Sequence, residues 1–270
     1  MGRIIAWSIL AGIVILIVAS AILKRILRNA RCRKLRAKPF PDDWIAVIEK
    51  NFPMYKIMPP DLRTQLHGLI NVFIGEKIFE GCAGLEVTQE MKISIAAQAC
   101  ILLLNRKTRY YPKLTTIYIY PHTYVAKNDG GKSARLGESW QNGPVVLAWN
   151  SVQGGARNMR DGRNVVMHEF SHRLDQEDGD ADGAPILDHG SSYRTWAKVL
   201  GSEYNAMLKK GWRRKTVMNK YGATNPAEFF AVATETFFEK AKQMKKKQPE
   251  LYEQLKEYYK LDPLEWKNRD

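Results

Sequence analysis

Val165-Val166-Met167-His168-Glu169-Phe170-Ser171-His172-Arg173-Leu174-Asp175 is the stretch on which the reading of this fold turns. Its apolar residues recur at helical spacing, and His168 and His172 stand four apart, on one face of the helix that spacing predicts. Two imidazoles so placed can reach a single metal ion. Glu169 follows the first of them and can address a water on that metal as a general base without itself being a ligand. Zinc lowers the pKa of such a water to about 7, which makes it a nucleophile toward carbonyl groups at neutral pH. Five histidines in the chain could meet in this pattern by accident. Accident does not supply apolar flanks able to bury the opposite helix face, so the stretch reads as the metal site of a hydrolase.

A catalytic zinc site takes three protein ligands and a water. Asp178 lies six residues past His172, the offset of a chain that turns sharply back beneath the metal. That turn ordinarily wants glycine three residues after the second histidine, where this chain has Asp175. Thr224-Asn225-Pro226-Ala227-Glu228 offers another candidate, a glutamate in the first turn of a separate helix. With Asn225 as N-cap and Pro226 at the first helical position, Glu228 has an equally good reading as a capping residue. The local pattern leaves the choice open. Asp175 can hydrogen-bond a ligand imidazole or begin the polar loop from 175 to 182. Glu235, seven residues after Glu228, returns to the same helix face as a reserve ligand or a carboxylate behind one. His67, His122 and His189 are isolated and read as surface or turn residues. The acidic run DQEDGDAD (175–182) has the wrong spacing for a calcium loop.

The chain has 270 residues, 45% hydrophobic and 26% charged, the composition of a folded protein with a core. Cys32, Cys82 and Cys100 show no metal-ligand spacing and cannot all pair, which favours a reducing compartment. A net charge of +14 raises the question of nucleic acid, but its distribution answers it. Arg3 and the run Lys24, Arg25, Arg28, Arg31, Arg33, Lys34, Arg36 and Lys38 carry nine of those charges, and removing them from +14 leaves +5. The basicity is local, so no nucleic-acid partner is expected.

That cluster follows Ile4 to Leu23, twenty residues without a charge. As a helix they span about 30 Å, the hydrocarbon thickness of a bilayer. Ala19-Ser20-Ala21 resembles a signal-peptide cleavage site, yet the charged region ahead of it is weak. Positive charge gathers on the cytoplasmic side of a spanning helix, so a single-pass anchor in the cell membrane with a cytoplasmic catalytic domain is expected. The basic run can also meet anionic lipid headgroups. The expected organisation is an anchor over 1–23, a basic juxtamembrane linker over 24–38 and the zinc-site domain over 39–270.

Elsewhere the periodicity predicts a short helix near Trp44 to Ile48, and further helices over Asp61–Gly75, Thr88–Leu104, Arg163–Leu174, Ser192–Met207, Pro226–Lys240 and Pro249–Tyr259. Thr88 is the expected N-cap of its helix. TIYIY (116–120) and VVLAW (145–149) read as strands, and Asn128 to Gly137 as a glycine- and charge-rich loop. Lys245-Lys246-Lys247 reads as a solvated helix end. The fold class is α+β, rich in helix, with a small sheet beside the site helix and one transmembrane helix ahead of it.

HEFSHRLD (168–175), followed by YGATNPAEFFAVATETFF (221–238), resembles the Mlc titration factor A family of zinc peptidases, whose catalytic core is related to that of the anthrax lethal factor protease. The resemblance runs from about Trp140, within ESWQNGPVVLAWN (138–150), to LDPL (261–264). It implies a zincin-like metallopeptidase domain with His168, His172 and Glu228 holding Zn²⁺, and Glu169 as base. It also implies that Tyr221 stabilises the oxyanion, a sensible task for a phenol donor. This chain departs from the family in its amino-terminal anchor. It also lacks a histidine before Trp140 that some relatives carry, and has Asp129 and its neighbours there instead. Two functions compete: a membrane-anchored zinc metallopeptidase acting on peptides or proteins, and a zinc-containing regulatory module whose partner contacts matter more than turnover. An intact Glu169 favours the enzyme.

Overall fold

A computed structural model describes residues 2–106, 110–128, 131–135, 137–139, 143–190, 192–209 and 216–266. The chain divides into two compact units, Met1–Pro39 and Phe40–Asp270.

The first unit is one helix, α1 (Gly2–Arg36), 35 residues long. At 1.5 Å per residue it measures about 52 Å, more than a bilayer's hydrocarbon core. The basic run continues the same helix, with Arg33, Lys34 and Arg36 in its last turn. Ile13 to Val18 are exposed. By length and composition this helix, over Leu10–Arg36, can cross a membrane.

The second unit begins with α2 (Asp42–Asn51), α3 (Met54–Ile57), α4 (Pro60–Glu76), β1 (Ile78–Gly81), α5 (Gln89–Ile101) and β2 (Thr116–Tyr120). Then come β3 (Tyr124–Asn128), β4 (Gly131–Arg135), β5 (Gly137–Ser139), β6 (Val145–Ala148), α6 (Trp149–Arg157) and α7 (Val165–Asp175). The chain finishes through α8 (Ser192–Leu208), a 3₁₀ turn Lys220–Ala223, α9 (Pro226–Glu239), α10 (Ala241–Lys247), α11 (Pro249–Tyr259) and a 3₁₀ turn Pro263–Glu265. The class is helix-rich α+β, as expected.

The sheet has the order β1-β2-β6-β5. β1, β2 and β6 run parallel, while β5 pairs antiparallel with β6. β6 is buried at all four positions, which is why VVLA shows no alternation. In β2 only Ile117 and Ile119 turn inward. Thr88 caps α5, its Oγ1 accepting from the Met91 N–H at 3.3 Å. α4 and α5 pack against each other, and Leu66, Ile70, Phe73, Ile93, Ala96 and Cys100 of these two helices are buried in the core. Buried Lys77 closes α4 by donating to the carbonyls of Tyr111 (2.8 Å) and Leu114 (2.7 Å).

Three expectations need correction. The described residues of Asn128 to Gly137 are strand and not loop: β3 and β4 pair antiparallel, with Asn128 opposite Gly131, and β5 begins at Gly137. Asp129 and Trp140 lie outside the described residues. Trp149 begins α6 instead of ending a strand. α7 starts at Val165, because the Asn164 side chain caps it by accepting from the Met167 N–H at 3.0 Å.

Candidate metal centre

α7 buries Val166, Met167, Phe170 and Leu174. Phe170 lies edge-on to Tyr111, ring centroids 4.9 Å apart, and 5.5 Å from Phe73. That aromatic cluster fixes the rotation of the helix and turns His168 and His172 toward α9. Truncating one such ring typically costs about 3–5 kcal/mol, so the orientation is strongly held.

α9 is started by Asn225, whose Oδ1 accepts from the Glu228 N–H at 2.9 Å, and by Pro226 in its first turn. The two readings of Glu228 are therefore compatible. Its backbone takes the cap, while its carboxylate points at the histidines. Glu228 Oε2 lies 2.9 Å from His168 Nε2 and 3.4 Å from His172 Nε2, and the two imidazole nitrogens are 3.3 Å apart. One donor atom from each residue falls within 4.8 Å of the others. Lone pairs so close repel unless a proton or a cation lies among them. Two imidazoles and one carboxylate form a donor set suited to a divalent ion of zinc type, so these residues fit the metal.

Behind the cluster, Glu235 Oε1 lies 2.6 Å from His168 Nδ1, and its Oε2 accepts from the Asn164 N–H at 2.6 Å. A carboxylate in that position holds the proton on Nδ1 and leaves Nε2 facing the cluster. Sequence reasoning placed Glu235 on the right face but passed over Asn164, although asparagine just ahead of an apolar-periodic run is a helix-start signal.

Burial works against a charged His168, but its hydrogen bonds to Glu228 and Glu235 outweigh that and hold its pKa well above the ordinary value. Burial likewise raises Glu228, yet hydrogen bonds from His168 and His172 bring it down to about 2. Glu169 is 6% exposed. Burial raises its pKa, and His168 and His172 hold it back only in part. A buried carboxyl poised upward beside two imidazoles is suited to proton transfer.

Tyr221 sits in the 3₁₀ turn that Asn219 caps, accepting from the Tyr221 N–H at 3.0 Å. Its ring centroid is 5.8 Å from that of His168, with the side chain 52% exposed. Asp178 is exposed and accepts from the Asp180 N–H, apart from the cluster. Asp175 serves the loop: its Oδ2 accepts from the Gly183 N–H at 3.0 Å, and no hydrogen bond to an imidazole is found among the described residues. Burial pushes its carboxyl up to about 6. Gly183 adopts φ +79°, and a Cβ there would meet the Pro226 carbonyl oxygen at 2.5 Å, so only glycine lets the loop pass the start of α9. His67 bonds the Tyr55 hydroxyl at 2.8 Å and stacks on Phe40, while His122 and His189 are exposed.

Residues 26–260 match the model of the family described as glucose-regulated metallo-peptidase M90. An uncharacterised protein of Synechocystis sp. is 38% identical over 245 residues, 87% of this chain and 89% of its own length. Mlc titration factor A of Klebsiella pneumoniae (strain 342) is 28% identical over 226 residues, 79% of this chain and 84% of its own. The protein of that name from Escherichia coli O7:K1 is 25% identical over 228 residues, 80% and 85% of the two chains.

Proposed function

Because the chain belongs to the glucose-regulated metallopeptidase family M90, we propose that it is a membrane-anchored zinc peptidase that hydrolyses peptide bonds in peptides or proteins at the cytoplasmic face. The observation that carries this reading is the convergence of His168, His172 and Glu228, with the buried Glu169 near enough for both imidazoles to act on its carboxyl.

His168, His172 and Glu228 would hold the zinc, which when bound acidifies water and polarises a carbonyl. Glu169 takes the proton of the attacking water and returns it to the departing amine, and its buried, upward-shifted carboxyl suits both steps. Tyr221 donates its phenol hydrogen to the oxygen that becomes negative as the carbonyl is attacked. Its exposure leaves the ring accessible to a peptide entering from solvent. Glu235 keeps the His168 ring in one tautomer and one orientation. The anchor rests on α1, with its apolar exposed stretch and basic end. The same cations argue for a cytoplasmic domain.

A second reading has one observation behind it. Several relatives are named for titrating Mlc, which supports a regulatory protein partner for this chain. On that view it is a zinc-containing binding module in which partner contacts outweigh turnover.

The test is metal analysis and peptide-cleavage profiling of the full chain in detergent. About one zinc per chain is expected, the stoichiometry of one three-ligand site. His168→Ala or His172→Ala loses both metal and cleavage. Full zinc retention in both variants would end the proposal.

A further inference from the structure

Beside the turn that carries Tyr221 there is a cavity of about 280 Å³, walled by Asp161, Arg163, Thr216, Asn219, Lys220 and Lys240 among others. Three basic residues, Arg163, Lys220 and Lys240, line it against one acid. The acid is already engaged: Asp161 Oδ1 accepts from the Arg163 N–H at 3.0 Å, and Oδ2 from Asn158 Nδ2 at 2.8 Å. Among the described residues the side chains of Arg163, Lys220 and Lys240 form no ion pair and no hydrogen bond.

The position of Lys240 is built, not incidental. Gly162 has φ +68°, and a Cβ there would lie 3.3 Å from Lys240 Cδ, Cε and Nζ. The stem of the lysine therefore lies over backbone that glycine leaves bare, with its ammonium at the cavity. A side chain ordered beforehand loses less entropy when it binds. Like charges gathered at one concavity raise the local positive potential and attract an anion.

Two of the lining residues are chain neighbours of residues at the metal centre. Lys220 precedes Tyr221 in the same turn, and Tyr221 lies against His168. Arg163 precedes Asn164, whose N–H binds the glutamate behind His168. An anion held between Lys220 and Arg163 would join the two segments that frame the cluster.

We propose that this cavity is an oxyanion site that takes a carboxylate or phosphate group. Its first-choice ligand is an acidic group of the peptide substrate, a choice that rests on the peptidase reading above. The shared chemistry has two sources, a carboxylate on the substrate and free phosphate in solution, and two arms of one experiment separate them.

In the first arm, inorganic phosphate is titrated into the full chain in detergent by calorimetry. The parent binds it saturably, Lys220→Gln with Lys240→Gln removes that binding, and the corresponding Arg pair retains it. Retention by the arginine pair shows that charge is what matters and that the fold is intact. In the second arm, peptides differing only by glutamate or glutamine are cleaved. Exposed ion pairs contribute enough for each lysine to favour the glutamate peptide in KM by about 2–5-fold. The preference falls to about one in the glutamine pair. Lysine-dependent phosphate binding without peptide preference identifies free phosphate as the ligand. Phosphate binding that ignores the lysines, or no binding, together with no peptide preference, overturns the site. The phosphate arm needs no turnover, so a chain that cleaves nothing defeats the peptidase reading and leaves this result standing.

Discussion

Glu169, buried beside both imidazoles, and Tyr221, whose ring lies near His168, are proposed to do different chemistry, and the difference can be measured. Glu169→Gln is isosteric and leaves the three converging residues His168, His172 and Glu228 in place, so zinc content should stay at the parent level while hydrolysis is lost with the proposed proton acceptor. Tyr221→Phe keeps the ring beside His168 and removes only the phenol donor. Losing one oxyanion donor typically costs about 10²–10³ in turnover, and less where a metal shares the task. The expected order of kcat is parent, then Tyr221→Phe, then Glu169→Gln, all with matching metal content. A Gln variant that cleaves at the parent rate would strip Glu169 of its role and turn the choice toward the binding module.

The interface of α7 with α9 is where the site is assembled, and two glutamates of α9 show what it costs. Glu228 reaches both histidines from the first turn, whereas Asp178 stays out on its own loop. Outer-sphere partners of a metal are worth about 10–100-fold in affinity, so a lost ligand should cost more. Glu228→Ala is thus expected to weaken zinc by more than about 100-fold in a chelator competition, and Asp178→Ala to leave it within about twofold. The opposite result would place the third ligand on the turned-back loop. Glu239 closes the far end of this interface, accepting from the Arg163 N–H at 3.0 Å, and its Oε1 has no hydrogen-bond partner among the described residues. Burial first, then Glu235 and Asp161, push its carboxyl from the usual 4.5 up to about 8. Between those pH values the folded protein keeps a proton that the unfolded chain releases. Stability therefore falls as pH rises, by at most about 1.4 kcal/mol per unit. Glu239→Gln should flatten the loss of melting temperature between pH 5 and pH 8 and be the more stable protein at the upper end. Identical pH profiles for parent and variant would show that Glu239 is not held protonated.

At the scale of the whole molecule the open question is orientation. α1 is long enough to cross a bilayer with basic turns to spare. The gathering of cations at its carboxyl end predicts that the unit from Phe40 onward is cytoplasmic. Protease added to intact cells should leave that unit whole and digest it only after permeabilisation. Digestion in intact cells would reverse the topology and, with it, the class of proteins this unit can meet.

Contiguous residues were sufficient for much of this. The His168-Glu169-His172 helix, the Asn225-Pro226 start of α9, the Thr88 cap, and α4, α8 and α11 were all legible, because a helix makes its hydrogen bonds within its own segment and leaves its period in the sequence. The uncharged amino-terminal run was legible for the same reason. β1 has three of its four residues exposed and carries no alternation, and β5 is three residues long. Their partners lie in distant segments, so nothing local announces them. The carboxylates behaved alike. The local pattern left Asp178 and Glu228 both open as the third ligand with Glu235 a reserve, and only the family resemblance pointed to Glu228. Only the packing of α9 on α7 carries Glu228 across 60 residues to His168, sets Glu235 behind the same ring, and leaves Asp178 in solvent. A helix can be read from its own period, but a metal site shared by two helices depends on how they dock, and that is settled by the side chains buried between them.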